Sequence, residues 1–144
     1  MTKAWREKAL RFMADGDTCA IVGENTVLRS KERGIKPLMA WLAAGEDCVG
    51  AVAADKVVGK AAAFLYVLLG VAEVHANVMS ESAEGVFLRF GVVYTFDEKV
   101  TAIRNRTDTG FCPMEQAVLD VDDPKRAYTV LNERVKSINK ENKK

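Results

Sequence analysis

Apolar positions in this chain form two kinds of pattern, helical spacing and short unbroken runs, and the two alternate along most of its length. Trp5, Leu10, Phe12 and Met13 recur among lysines and arginines over residues 3–14, and Asp15-Gly16-Asp17 ends that helix. Cys19–Val22 and Thr26–Arg29 are short apolar runs, with Gly23-Glu24-Asn25 between them suited to a hairpin. Pro37 fits the first turn of a helix opening near Lys36, where its missing N–H would be unpaired anyway. Cys48–Ala54 is small, apolar and unbroken, the pattern of a central parallel strand. From about Val57 to Leu69 the chain is apolar nearly all round, which predicts a buried helix. Ala72–Met79 reads as a strand, Ser80 as the cap of a helix carrying Glu84, Leu88 and Phe90, and Gly91 as its stop. Val92–Thr95 predicts a fifth strand, Pro113–Leu119 a helix, and Asp122-Asp123-Pro124 the start of a last helix to about Ile138.

One hairpin followed by strand–helix–strand units gives an α/β fold, because crossover connections leave the last three strands parallel. The expected architecture is a three-layer α-β-α sandwich around a five-stranded mixed sheet. A length of 144 residues suits one domain over 1–144, with 139–144 as a frayed, solvated tail.

Composition narrows the class further. The hydrophobic share of 49% is enough for a sizeable core, and a formal charge of +1 leaves no general electrostatic footprint for DNA or RNA. Charged residues around Trp5 break any export signal, and no apolar run reaches the roughly 20 residues of a membrane span. The 3 widely spaced cysteines form no disulfide framework, so a cytoplasmic protein with reduced thiols and no membrane partner is expected.

Two motifs are less core-like than the rest: Asp55-Lys56-Val57-Val58-Gly59-Lys60 and Asn105-Arg106-Thr107-Asp108-Thr109-Gly110-Phe111-Cys112-Pro113-Met114-Glu115. Each reads as a polar turn entering a helix after a strand, the place where an α/β sheet offers free N–H groups and partial positive charge to ligands. Lys56 and Lys60 share a face if both are helical, and would suit a phosphate or carboxylate. Asp55 as a helix cap with solvated lysines explains the same residues. The segment is not a nucleotide-triphosphate loop, since Ala54 and Ala61 stand where that loop needs glycine and a hydroxyl.

Cys112 precedes Pro113 at an expected helix start, where the dipole favours thiolate, so it is the candidate nucleophile unless it is a buried structural thiol. Glu115 could move a proton or cap the same turn, and Asp55 is a second acid-base candidate. Asn105 and Arg106 could hold an anion, Arg106 in a bidentate clamp, or Arg106 could pair with Asp108. Ser80 could donate to a ligand or cap its helix. Cys19 and Cys48 fall in strand patterns and read as core, and His75 as a core or interface residue.

The order of elements resembles the cytidine deaminase-like fold, in which an initial helix and hairpin precede alternating helices and strands. The two motifs are similar to those of a small prokaryotic family of uncharacterised domains with that fold, over about Cys19 to Asp123. Zinc deaminases of this kind carry His-Ala-Glu or Cys-Ala-Glu at one helix start and Pro-Cys-x-x-Cys at the next. Here the corresponding stretches are Gly34-Ile35-Lys36-Pro37 and Asp55–Lys60, without His or Cys, so zinc-dependent deamination is disfavoured and no metal or other cofactor is expected.

The expected function is therefore binding of an anionic small molecule, or metal-independent catalysis on it, in a pocket formed by both motifs. The resemblance implies a nucleotide or modified base as ligand, and a homo-oligomer assembled through helices, although no heptad marks the contact. The alternative is a non-catalytic ligand-binding or sensor domain derived from the same fold.

Overall fold

A computed structural model describes residues 2–103 and 112–142 of the chain. Helix α1 (Thr2–Ala14) leads into the hairpin of β1 (Cys19–Val22) and β2 (Val27–Ser30). Then follow α2 (Lys36–Ala43), β3 (Val52–Val58), α3 (Lys60–Leu69), β4 (Glu73–Ser80), α4 (Glu81–Phe90) and β5 (Val93–Val100). The short α5 (Pro113–Ala117) and the long α6 (Pro124–Asn142) complete six helices among the described residues.

The five strands form one mixed sheet in the order β2-β1-β3-β4-β5. Strand β1 is antiparallel to both of its neighbours, while β3, β4 and β5 run parallel. The reversal of β1 puts its first residue beside the middle of β3, with Cys19 opposite Asp55 and Thr18 O accepting from Lys56 N–H in the strand's second half. Chain segments from the start of β1, the end of β2 and the end of β3 therefore meet at one rim.

The core follows the predicted periodicities. Ala9 of α1, with Trp5, Leu10, Phe12 and Met13 around it, packs on Ala20, Val22 and Ala54. The larger cluster joins Ile21, Ala53, Val74 and Ala76 of the sheet to Phe64, Leu65 and Leu69 of α3, Phe87 of α4 and Leu131 of α6. Helix α3 is buried along almost its whole circumference, from Ala61 to Tyr66 and at Leu69, as a helix apolar all round must be. Cys19 and Cys48 are buried, as their strand-like surroundings suggest.

Several element boundaries differ from the sequence pattern. Strand β3 begins at Val52, not Cys48, because Gly50 takes a left-handed φ of 78° and Ala51 N–H closes a turn on Cys48 O. It then runs through Asp55 and Lys56, which read as a turn but stay in the ladder: Lys56 N–H donates to Thr18 O at 3.0 Å. Helix α3 consequently starts at Lys60 rather than Val57, with Gly59 in extended conformation at its cap. Strand β5 continues past Thr95 to Val100, since the charged stretch 97–99 can sit on an edge strand without desolvation. Helix α5 is shorter than expected and ends at Ala117, whereas the backbone of α6 stays helical to Asn142, past Ile138. No helix among the described residues is long and apolar enough to cross a membrane.

Candidate functional site

At the C-terminal end of β3 lies a cavity of about 840 Å³. Its walls come from Thr18 before β1, Glu32–Ile35 after β2, Asp55–Val57 of β3, Gly59 between β3 and α3, Ala61 and Ala62 of α3, Ile103, and Cys112–Glu115 at α5. The two motifs singled out in the sequence thus meet around one space, at the sheet edge where open α/β proteins place ligands.

Asp55 contributes the buried acid. It is 8% exposed, and its Oδ2 accepts from Tyr66 Oη at 2.6 Å while Oδ1 accepts from Val57 N–H at 3.3 Å. Burial pushes its carboxyl up to about 7, against the opposing effect of the Tyr66 hydroxyl and the Val57 and Lys56 N–H groups. The Tyr66 phenol is itself held well above its ordinary range, by burial first and then by the Asp55 charge. Asp55 is not a helix cap: it lies inside β3, and its carboxyl engages Tyr66 on α3 from the sheet.

Glu115 has a different partner from either one expected. Its Oε1 accepts from Lys60 N–H and its Oε2 from Ala61 N–H, both at 2.7 Å, so the carboxylate closes the N-terminus of α3 rather than its own turn. Two unpaired N–H groups and the positive end of the helix are thereby satisfied by an acid from α5. Burial raises the Glu115 pKa, opposed by those two N–H groups and by the Lys60 charge. With both oxygens committed, Glu115 holds α5 in place, and the helix terminus expected to meet a ligand meets a carboxylate of the chain itself.

The two lysines part company. Lys56 is an exposed residue of β3 on the cavity rim. Lys60 Nζ instead donates to Leu119 O at 2.8 Å, just beyond α5, and does not line the cavity. They share no helix face, since Lys56 is not helical.

Cys112 lines the cavity half-buried, its N–H donating to Ile103 O at 3.1 Å. The helix it precedes is only 5 residues long, which removes most of the dipole argument for an activated thiol. Ser80 is fully buried away from the cavity, and its Oγ accepts from Ala83 N–H at 3.1 Å, the capping alternative. Asn105 and Arg106 lie outside the described residues. His75 sits on β4 with Nδ1 2.8 Å from Thr95 Oγ1 and Nε2 3.5 Å from Asp97, and does not line the cavity.

Sequence reasoning missed Tyr66, Thr18 and Arg33. Tyr66 carried a readable signal, because a phenol in an otherwise apolar buried helix must find a partner for its hydroxyl. Thr18 and Arg33 carried none, as they join the site through strand pairing and loop placement.

These elements define an α/β protein with a mixed five-stranded sheet and a cavity at one strand rim. The chain belongs to the family described as TM1506, domain of unknown function (DUF1893), which matches residues 8–135. Among solved structures it is similar to the crystal structure of a DUF1893 family protein (TM1506) from Thermotoga maritima, with a TM-score of 0.85 and 26% identity over 93% of this chain and 92% of that one. No curated protein matches.

Proposed function

We propose that this protein binds an anionic small molecule in the cavity between β3 and α5, with Lys56 and Arg33 at the rim meeting the anion. The observation that carries this reading is the shared lining: the pair Asp55-Lys56 and the distant Cys112 border one space of about 840 Å³. That volume falls within the range of small-molecule pockets. Most of the remaining wall is apolar, from Ile35, Val57, Ala61, Ala62 and Met114. A nucleotide or modified base is the ligand class that fold analogy favours. The finer classification as a three-layer, cytidine deaminase-like fold is supported by the initial helix and hairpin followed by alternating helices and strands. A cytoplasmic homo-oligomer accompanies that analogy.

Binding is favoured over turnover because Glu115, one of the proton-transfer candidates, is committed to α3. The second reading is a metal-independent enzyme, favoured by the presence in one lining of Cys112, a nucleophile candidate, and Asp55, an acid-base candidate. Mass spectrometry of molecules retained through purification, followed by thermal-shift titration with nucleoside monophosphates, tests both readings. A stabilising ligand whose effect falls on Lys56→Ala supports binding, and conversion of that ligand, lost on Cys112→Ser, supports catalysis. If neither retained compounds nor the nucleotide series moves the melting temperature, the binding reading fails.

A further inference from the structure

Asp55 and the rim cations make the cavity two-ended. The acid is among the few buried charged side chains, and no Lys, Arg or His of the described residues pairs with it. Its hydrogen bonds come from the Tyr66 hydroxyl and the Val57 N–H, with the Lys56 N–H close by and no cation among them. A carboxylate out of water without a counter-charge is costly, and each of its oxygens can accept more than one hydrogen bond. Arg33 and Lys56 stand at the exposed end of the same lining, beside Glu32.

We infer that the ligand carries an amidine- or amine-type N–H group that docks on Asp55, an apolar body against Ile35, Ala62 and Met114, and an anionic group at Arg33 and Lys56. This rests on the anion-binding reading above and adds the opposite end of the molecule. A planar pair of N–H donors matches a carboxylate in two parallel hydrogen bonds. Tyr66 holds Oδ2 of that carboxylate and Val57 N–H meets Oδ1, one contact to each oxygen. A metal ion is the competing occupant for an unpaired acid, but no group of three His, Cys, Asp or Glu suited to one occurs among the described residues.

Docking a cation on Asp55 stabilises its ionised form, so binding near neutral pH expels the proton that burial retains there. The other titratable or charged groups around it are Cys19 on β1, Lys56 on its own strand, Tyr66 on α3, Glu32 and Arg33 after β2, and Cys112 and Glu115 at α5. Burial holds the Cys19 thiol and the Tyr66 phenol neutral through that range.

Calorimetric titration of the full chain with benzamidine, benzoate, para-amidinobenzoate and para-carbamoylbenzoate tests each end separately. At mildly alkaline pH the amidinobenzoate should bind roughly tenfold or more tighter than the carbamoyl compound. Asp55→Asn should erase that difference. Lys56→Ala should weaken amidinobenzoate but not benzamidine. Should Asp55→Asn fold poorly, proton release decides: in wild type, amidine binding near neutral pH should show a buffer-dependent heat and benzoate binding should not. Equal affinity for the amidine and the amide, or amidine binding without proton release, overturns the inference. Benzamidine binding that depends on Asp55, with no gain from the added carboxylate, leaves the amidine end standing and overturns the anion reading alone.

Discussion

A Cβ on residue 59 would fall 2.1 Å from Oε1 of Glu115, so Gly59 and Glu115 occupy each other's space. The glycine is there because the acid must reach past it to the first N–H groups of α3. Gly59→Ala should push the carboxylate aside and uncap the helix, destabilising the fold by roughly 1–2 kcal/mol. Glu115→Ala removes the same contact from the other side. In urea denaturation the double variant should therefore be much less destabilised than the sum of the singles; additive losses would show that the two residues act independently.

Asp55 gives stability a pH dependence of definite sign. Its carboxyl has an ordinary value of 3.8 and is pushed up to about 7 in the fold, so the native state holds a proton that the unfolded state releases. Stability is fully supported with Asp55 protonated and declines as pH rises through that window, by up to roughly 4 kcal/mol. Glu115, raised in the same direction, adds to the decline. Asp55→Asn should flatten most of the slope in melting curves collected across the window. Parallel slopes in wild type and variant would refute the assignment.

The two lysines separate by function. Lys60→Ala loses the bond to Leu119 O, a partly exposed contact contributing about 1 kcal/mol or less. It should leave anion affinity unchanged, because the side chain is not part of the cavity wall. Lys56→Ala should do the reverse, sparing stability and weakening anion binding. Titration of both variants with a nucleoside monophosphate, beside their denaturation curves, checks the pair.

Cys112 is the only one of the three thiols not buried. Burial also raises the Cys48 pKa to about 11 and drives Cys19 further in the same direction, so both should resist alkylation. Native protein treated with iodoacetamide should carry its label at Cys112, with the other thiols labelled only after unfolding. A retained ligand should slow that labelling. Label arriving first at Cys19 or Cys48 would contradict the burial pattern.

Ser80→Ala removes the acceptor for Ala83 N–H and should cost about 1 kcal/mol in chemical denaturation. Because Ser80 lies off the cavity lining, ligand affinity should be unchanged.

The fold was legible wherever local pattern carries the information. The run Cys19–Val22, the buried helix ending at Leu69 and the cap at Ser80 are set by neighbours in sequence, and each element lies within a few residues of its expected bounds. Asp55 and Lys56 were misread because their polarity resembles a turn, while what keeps them in a strand is pairing with β1, β4 and Thr18. The convergence of the two motifs could be argued from strand topology. The use of Glu115 could not, since its partners on α3 lie 54 and 55 positions upstream and nothing local marks them. Asn105 and Arg106 fall outside the described residues, and the expectations for them stand as sequence readings.

The backward course of β1 has a consequence for how the cavity comes into being. Thr18 and Glu115 stand far apart along the chain, yet both border the same void. No fragment ending before α5 contains that enclosure, so occupancy by a small molecule would report on the assembled stretch from Thr18 to Glu115 and draw its stabilisation from distant parts of it at once.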